Sequence, residues 1–170
     1  MLRKYRLIFV ILKVMILGID PGLASTGWAV IDAGDDGNRL VSCGCIETEK
    51  SEDFAKRLGQ IYNQIKRLCR QYKIRELVIE SIFFAKNMKT AINVAQAMGA
   101  VKAAAQNSGV AVFEYTPLQI KMAITGYGRA DKEQIIKMVG ESLKEKEVIS
   151  DNHAADAAAT ALTHIFTMRL

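Results

Sequence analysis

Four residues in this 170-residue chain have the types and settings of a site for divalent cations. Asp20 closes the apolar run Val14-Met15-Ile16-Leu17-Gly18-Ile19, and Glu80 closes Leu77-Val78-Ile79 in the same way. Asp156 lies in DNHAADAAATALTH, a segment otherwise almost bare of charge, and His153 precedes it on the same helical face. Carboxylates in apolar settings are unfavourable unless opposite charge neutralises them, and the sequence puts no obvious buried Arg or Lys beside these three. Hard oxygen donors suit Mg²⁺, with Mn²⁺ as a substitute, and several acids can share two ions. Two such ions hold the attacking and leaving oxygens of a phosphodiester and make hydroxide available near neutral pH. Taken singly, each acid has a plainer reading as turn former, strand end or helix cap. Asp20-Pro21-Gly22 is itself turn chemistry.

The elements around these residues follow from periodicity. Segments 14–20, 27–33 and 39–49 alternate or run apolar between turn signals, with Asp35-Asp36-Gly37-Asn38 as hairpin chemistry. They predict a three-stranded antiparallel meander. Phe54, Leu58, Ile61, Ile65 and Leu68 recur at helical spacing through 52–72. Residues 76–80 read as a short buried strand, 87–107 as an Ala-rich helix and 110–115 as a further strand. Thr116-Pro117-Leu118-Gln119 combines a capping box with Pro at the first helical position, and the glycines of 125–130 end that helix. Asp131 and Gln134 cap another helix through about 145, and Ser150-Asp151 opens the last, with Asp151 as its cap. The expected order is β-β-β-α-β-α-β-α-α-α. It folds into a five-stranded mixed sheet, a meander plus two parallel strands, with helices on both faces of an α/β domain.

Period-two alternation places Ile16, Gly18 and Asp20 on one face of the first strand, and Val78 and Glu80 on one face of the fourth. The small residues around Asp156 allow the last helix to approach the sheet closely.

Composition bounds the partners. Residues 1–14 carry four basic and no acidic side chains, whereas 15–170 carry 19 basic and 18 acidic ones, so bulk charge is weak evidence for nucleic acid. Between 81 and 140, however, seven basic residues face three acidic ones, which predicts a local basic surface. Cys43, Cys45 and Cys69 form no Cys-x-x-Cys pair and are expected as small buried thiols in a reducing cytosol. The basic, apolar leader resembles a signal peptide. The stretch from Leu7 to Ile19 contains Lys13 and is only 13 residues long, short of a membrane span. Residues 1–14 are therefore expected to be an N-terminal extension or a misassigned start ahead of Met15, and residues 15–170 a single domain.

The blocks MILGIDPGLASTGWAVID, LVIESIFFAKN, TPLQIKMAITGYGRADKEQI and HAADAAATALTH, in this order and spacing, resemble the RuvC family of Holliday-junction resolvases, of the RNase H-like superfamily. The resemblance spans 15–168. Its first block alone is unspecific, because actin-like ATPases and sugar kinases also place an acid after their first strand; the four together are specific. The resemblance implies a homodimer that binds four-way junction DNA, each subunit nicking one of two strands of like polarity, with RuvA and RuvB as branch-migration partners. It maps the catalytic and metal-binding acids onto Asp20, Glu80 and Asp156. Many members carry a fourth carboxylate where this chain has His153, whose imidazole ligates Mn²⁺ more readily than Mg²⁺.

The resemblance also implies that Phe83 stacks on an unpaired base near the crossover, with Lys86 and Lys89 beside it. Lys121 and Lys132 match basic positions near the scissile phosphate, and Arg129 lies in a glycine loop suited to following a DNA backbone. The helix 87–107 has small-residue faces that suit a dimer crossing or a central packing role. Other readings are an RNase H-like nuclease for RNA–DNA hybrids or transposon ends, one lobe of an actin-like ATPase, and a junction binder without catalysis.

Overall fold

The computed structural model describes residues 14–34, 37–82, 88–143 and 149–168. Strands β1 (Val14–Asp20), β2 (Ser25–Gly34) and β3 (Gly37–Glu47) form the expected antiparallel meander. Helix α1 (Phe54–Gln71) leads to β4 (Glu76–Glu80), α2 (Met88–Gln106) to β5 (Ala111–Tyr115), and α3 (Pro117–Thr125), α4 (Lys132–Leu143) and α5 (Asn152–Met168) complete the order. The sheet runs β3-β2-β1-β4-β5, with β4 parallel to both β1 and β5.

Strands β1 and β4 lie inside the sheet and are covered on both faces, which is why their sequences read as near-continuous apolar runs. Leu17, Ile19, Leu77 and Ile79 point to a core shared with Ile61 and Ile65 of α1 and Val101 of α2. Ile16 and Val78 point the other way, against Ala157, Ala161 and Leu162 of α5 and Ile120 and Ile124 of α3. Asp20 and Glu80 continue this second face by strand alternation.

Local signals set the helix boundaries as expected. Asp53 caps α1 through the backbone N–H groups of Ala55 and Lys56. Thr116 and Gln119 form a reciprocal capping box at α3, whose far end stops at Gly126 in a left-handed conformation, φ 71°. Asp131 and Gln134 exchange the same pair of bonds ahead of α4. Asp151 accepts from the Ala154 N–H at 2.8 Å, so its carboxylate is committed to capping α5.

Two details differ from expectation. Only Cys69 is buried; Cys43 and Cys45 are half-buried because β3 is an edge strand with little covering it. All three are free thiols. A buried His164 of α5, which periodicity gave no reason to single out, bridges Tyr115 Oη at 2.9 Å and Glu76 Oε2 at 3.1 Å, tying α5 to β4 and β5. Among the described residues no helix is long and apolar enough to cross a membrane.

Candidate active site

The acids are carried to one end of the sheet because three elements end or cross there. β1 and β4 are parallel neighbours whose register pairs Ile19 with Ile79, so Asp20 and Glu80 follow side by side at their carboxyl ends. α5 then crosses β1 and β2 at a separation that only glycine permits. A Cβ on Gly18 would stand 2.0 Å from the Ala157 carbonyl oxygen, and one on Gly27, the register partner of Asp20, would stand 2.1 Å from the His153 carbonyl oxygen. Gly18 and Gly27 therefore seat the helix that carries His153 and Asp156. A glycine inside a strand is the sequence signal for such an approach, although it does not say what approaches.

His153 Nδ1 lies 2.7 Å from Asp20 Oδ2. The contact engages Nδ1 with the carboxylate, which leaves Nε2 as the ring nitrogen that could face a cation. Asp20 is thus bound by an imidazole from another element rather than by its own turn. That turn is held by Thr26 Oγ1 donating to the Gly22 carbonyl at 2.6 Å and Thr48 Oγ1 donating to the Leu23 carbonyl at 2.6 Å.

No buried Arg or Lys is expected beside the acids, and the basic partner that Asp156 has is an exposed one. Lys132 Nζ is 2.9 Å from Asp156 Oδ2. The pairing was hidden because Lys132 is an exposed residue in the first turn of α4, 24 positions away in sequence. Lys121 is half-buried and donates to the Ala130 carbonyl at 2.8 Å, while lining the same depression as Glu80, Lys132 and Asp156. Arg129 is exposed and is not part of that lining. Phe83 and Lys86 lie outside the described residues, and for Lys89 only the backbone, in the first turn of α2, is described.

The electrostatics bear the mark of crowded negative charge. Burial first, then the charges of Asp20 and Asp156, push the Glu80 carboxyl up to about 7 against the pull of Lys121 and Lys132. Asp20 is raised too, by burial and then by Asp156, although the His153 hydrogen bond opposes the rise. As they stand, the four side chains do not converge: among the described residues no group of three or more His, Cys, Asp or Glu is spaced to hold an ion. Instead, Asp156 takes an ammonium and Asp20 an imidazole as partners. The donor set nevertheless fits a hard divalent cation, with three carboxylates, one oriented imidazole and an ammonium already drawn to one of the acids.

A stability consequence follows. Glu80 binds a proton more tightly in the native state than in the unfolded chain, whose carboxyl titrates near 4.5. The metal-free protein therefore loses stability as pH rises through the window from 4.5 to about 7. In chelator, the wild-type Tm should be higher at about pH 5 than at about pH 8, and Glu80→Gln should reduce that difference. Equal pH slopes in the two proteins would remove Glu80 from this role.

A mixed sheet of this order, with acids at the ends of its first and fourth strands and on the helix crossing them, defines the class as an RNase H-like nuclease domain. The family model for crossover junction endodeoxyribonuclease RuvC matches residues 16–164. A curated RuvC from Natranaerobius thermophilus is 40% identical over 156 residues, 92% of this chain and 97% of that protein. One from Brevibacillus brevis is 44% identical over 149 residues, 88% and 90% of the two chains. The solved structure of Thermus thermophilus RuvC in complex with Holliday junction substrate matches with a TM-score of 0.87 at 35% identity, covering 92% of this chain and 95% of that one. The chain belongs to the RuvC family of crossover junction endodeoxyribonucleases.

Proposed function

We propose that Asp20, Glu80, His153 and Asp156 form the divalent-metal centre at which this chain, a Holliday junction resolvase, hydrolyses phosphodiesters of four-way DNA junctions in recombination and repair. The observation that carries the assignment is the placement of Asp20 and Glu80 side by side at the ends of β1 and β4, against the turn of α5 that carries His153 and Asp156. Two Mg²⁺ ions per subunit, with Mn²⁺ as a substitute, match the number and hardness of the donors. When bound, the metal supplies positive charge at the reacting phosphate and activates water.

The chain's own groups do the rest. The carboxylate oxygens of Asp20, Glu80 and Asp156 would hold the ions. His153, aimed through its Nδ1 contact with Asp20, offers Nε2. Lys132 balances Asp156, and with Lys121 in the same depression it would offset negative charge at a bound phosphate. Phe83, Lys86, Lys89 and Arg129 complete the DNA surface, the aromatic by stacking and the cations by phosphate contact.

A synthetic four-way junction with Mg²⁺ or Mn²⁺ tests this reading. Paired symmetric nicks in strands of like polarity are expected; cleavage of RNA–DNA hybrids in preference to junctions would contradict it.

His153 has its own expected outcome. His153→Ala should lower turnover sharply with little change in junction affinity, and His153→Asp should restore much of it while shifting preference from Mn²⁺ towards Mg²⁺. Steady-state rates in both metals decide; equal turnover in wild type and His153→Ala would make His153 a bystander.

We further propose a homodimer built on α2. Its inner face buries Ala97, Met98, Val101, Ala104 and Ala105, whereas Ile92, Ala95, Gly99 and Ala103 form an exposed small-residue stripe. A Cβ on Gly99 meets nothing within 4 Å, so Gly99→Arg is sterically free in the monomer and should disrupt a dimer; sedimentation would read the change. Action beside RuvA and RuvB in the cytoplasm, by a single domain of residues 15–170 that needs none of residues 1–14, completes the proposal.

A further inference from the structure

The carboxylates sit in the middle of a longer trough. One depression, lined by Lys121, Lys132 and Asp156, shares Glu80 and Pro117 with a second that contains Asp20. The second shares Thr90 and Val94 with a third, lined also by Ser25, Lys50, Arg57, Asn93 and His153. Cations therefore stand at both ends of a path that crosses the acids.

Arg57 is the unusual residue at the far end. It lies at the edge of the apolar stripe of α1, one turn before Ile61, and is only 8% exposed. Its Nε donates to Thr48 Oγ1 at 2.9 Å, which helps hold the turn after Asp20. The two acids nearest in sequence are committed elsewhere: Asp53 caps α1 through the Ala55 and Lys56 N–H groups, and Glu52 is engaged by Lys56 and by Gln60, bonds that, more than the charge of Arg57, hold its carboxyl below the usual range. Among the described residues neither Arg57 nor Lys50 forms an ion pair. A buried guanidinium without a carboxylate, lining a groove with an exposed lysine, is suited to an anion with planar oxygen pairs, and phosphate fits that fork.

We propose that Arg57 and Lys50, assisted by Asn93, form a backbone-phosphate site on the opposite side of the carboxylates from Lys121 and Lys132. The strand to be cut is then held at both ends while its central phosphate lies over the acids, which would otherwise repel it. The proposal rests on the nuclease reading above, and its test is made without metal so that it stands or falls independently of cleavage.

Junctions carrying a single neutral methylphosphonate, moved one position at a time along the strand to be cut, are bound in chelator to wild type, Lys50→Ala, Asn93→Ala and Arg57→Gln. At one or two positions on one side of the scissile phosphate, wild-type affinity should fall about three- to fivefold, and the same substitution should cost Lys50→Ala little more. The salt dependence of Lys50→Ala binding should flatten by about one charge. If Arg57→Gln melts early through loss of its bond to Thr48, Lys50→Ala and Asn93→Ala carry the result, since neither residue helps hold the turn. Wild-type affinity, salt slope and methylphosphonate profile in these two variants would overturn the proposal and leave Arg57 as a brace of the turn alone.

Discussion

Asp20→Asn, Glu80→Gln and Asp156→Asn should each lower junction cleavage about a thousandfold or more while leaving junction affinity within a few-fold. The separation of effects follows from where the energy arises. On the proposed reading, affinity comes from phosphate contacts and junction shape, for which Lys121 and Lys132 are the candidates rather than the acids. The rate depends on charge delivered at the reacting phosphate, which needs every oxygen that fixes a metal. Glu80→Gln should also be more stable than wild type in chelator at about pH 8, because it removes a buried charge that burial and two neighbouring acids oppose. Loss of activity with gain of stability is the signature of a functional residue held at a structural cost. Single-turnover cleavage and melting curves on the same samples measure both, and near-normal nicking by any one variant would exclude that acid from the site.

Gly27→Ala should damage the site without touching any reacting group. Its new Cβ would overlap the His153 carbonyl oxygen at 2.1 Å and the carbonyl carbon at 2.4 Å, both backbone atoms that cannot rotate away. The first turn of α5 must lift, taking His153 from Asp20 and shifting Asp156 relative to Glu80. Overpacking of this kind costs about 3 kcal/mol, or roughly 6–12 °C in Tm for a domain of this size. Cleavage should fall further than stability at the assay temperature explains, because sub-ångström placement of the acids is lost. Gly59→Ala is the control, since a Cβ there meets nothing within 4 Å. A Gly27→Ala protein with wild-type Tm and rate would mean that α5 has slack the structure does not show.

The carboxylates were legible in the sequence because strand alternation is strict. Once 14–20 and 76–80 read as strands, Asp20 and Glu80 had to lie on the same faces as Gly18 and Val78, and the sheet order then made them neighbours. The Ala-rich setting of Asp156 showed a buried helix, and the capping residues fixed where each helix began. Contacts between elements left no such trace. Lys132 reaches Asp156, and His153 reaches Asp20 across 133 positions, through tertiary placement that no local period encodes. Arg57 escaped because its charge hid its position: helical spacing sets it at the edge of the apolar stripe, one turn before Ile61, and its Nε bond to Thr48 holds it there buried. Cys43 and Cys45 were misplaced because alternation reports which face a residue takes and not whether anything covers that face at a sheet edge.

The central claim is that one metal centre is shared by the ends of β1 and β4 and the first turns of α5. Anomalous diffraction from crystals of the wild-type protein soaked in Mn²⁺ locates such ions directly. The account predicts manganese peaks bounded by the carboxylates of Asp20, Glu80 and Asp156 and by the imidazole of His153, lost in Asp20→Asn. Manganese bound only elsewhere on the chain, in a protein that still cleaves four-way junctions, would contradict it.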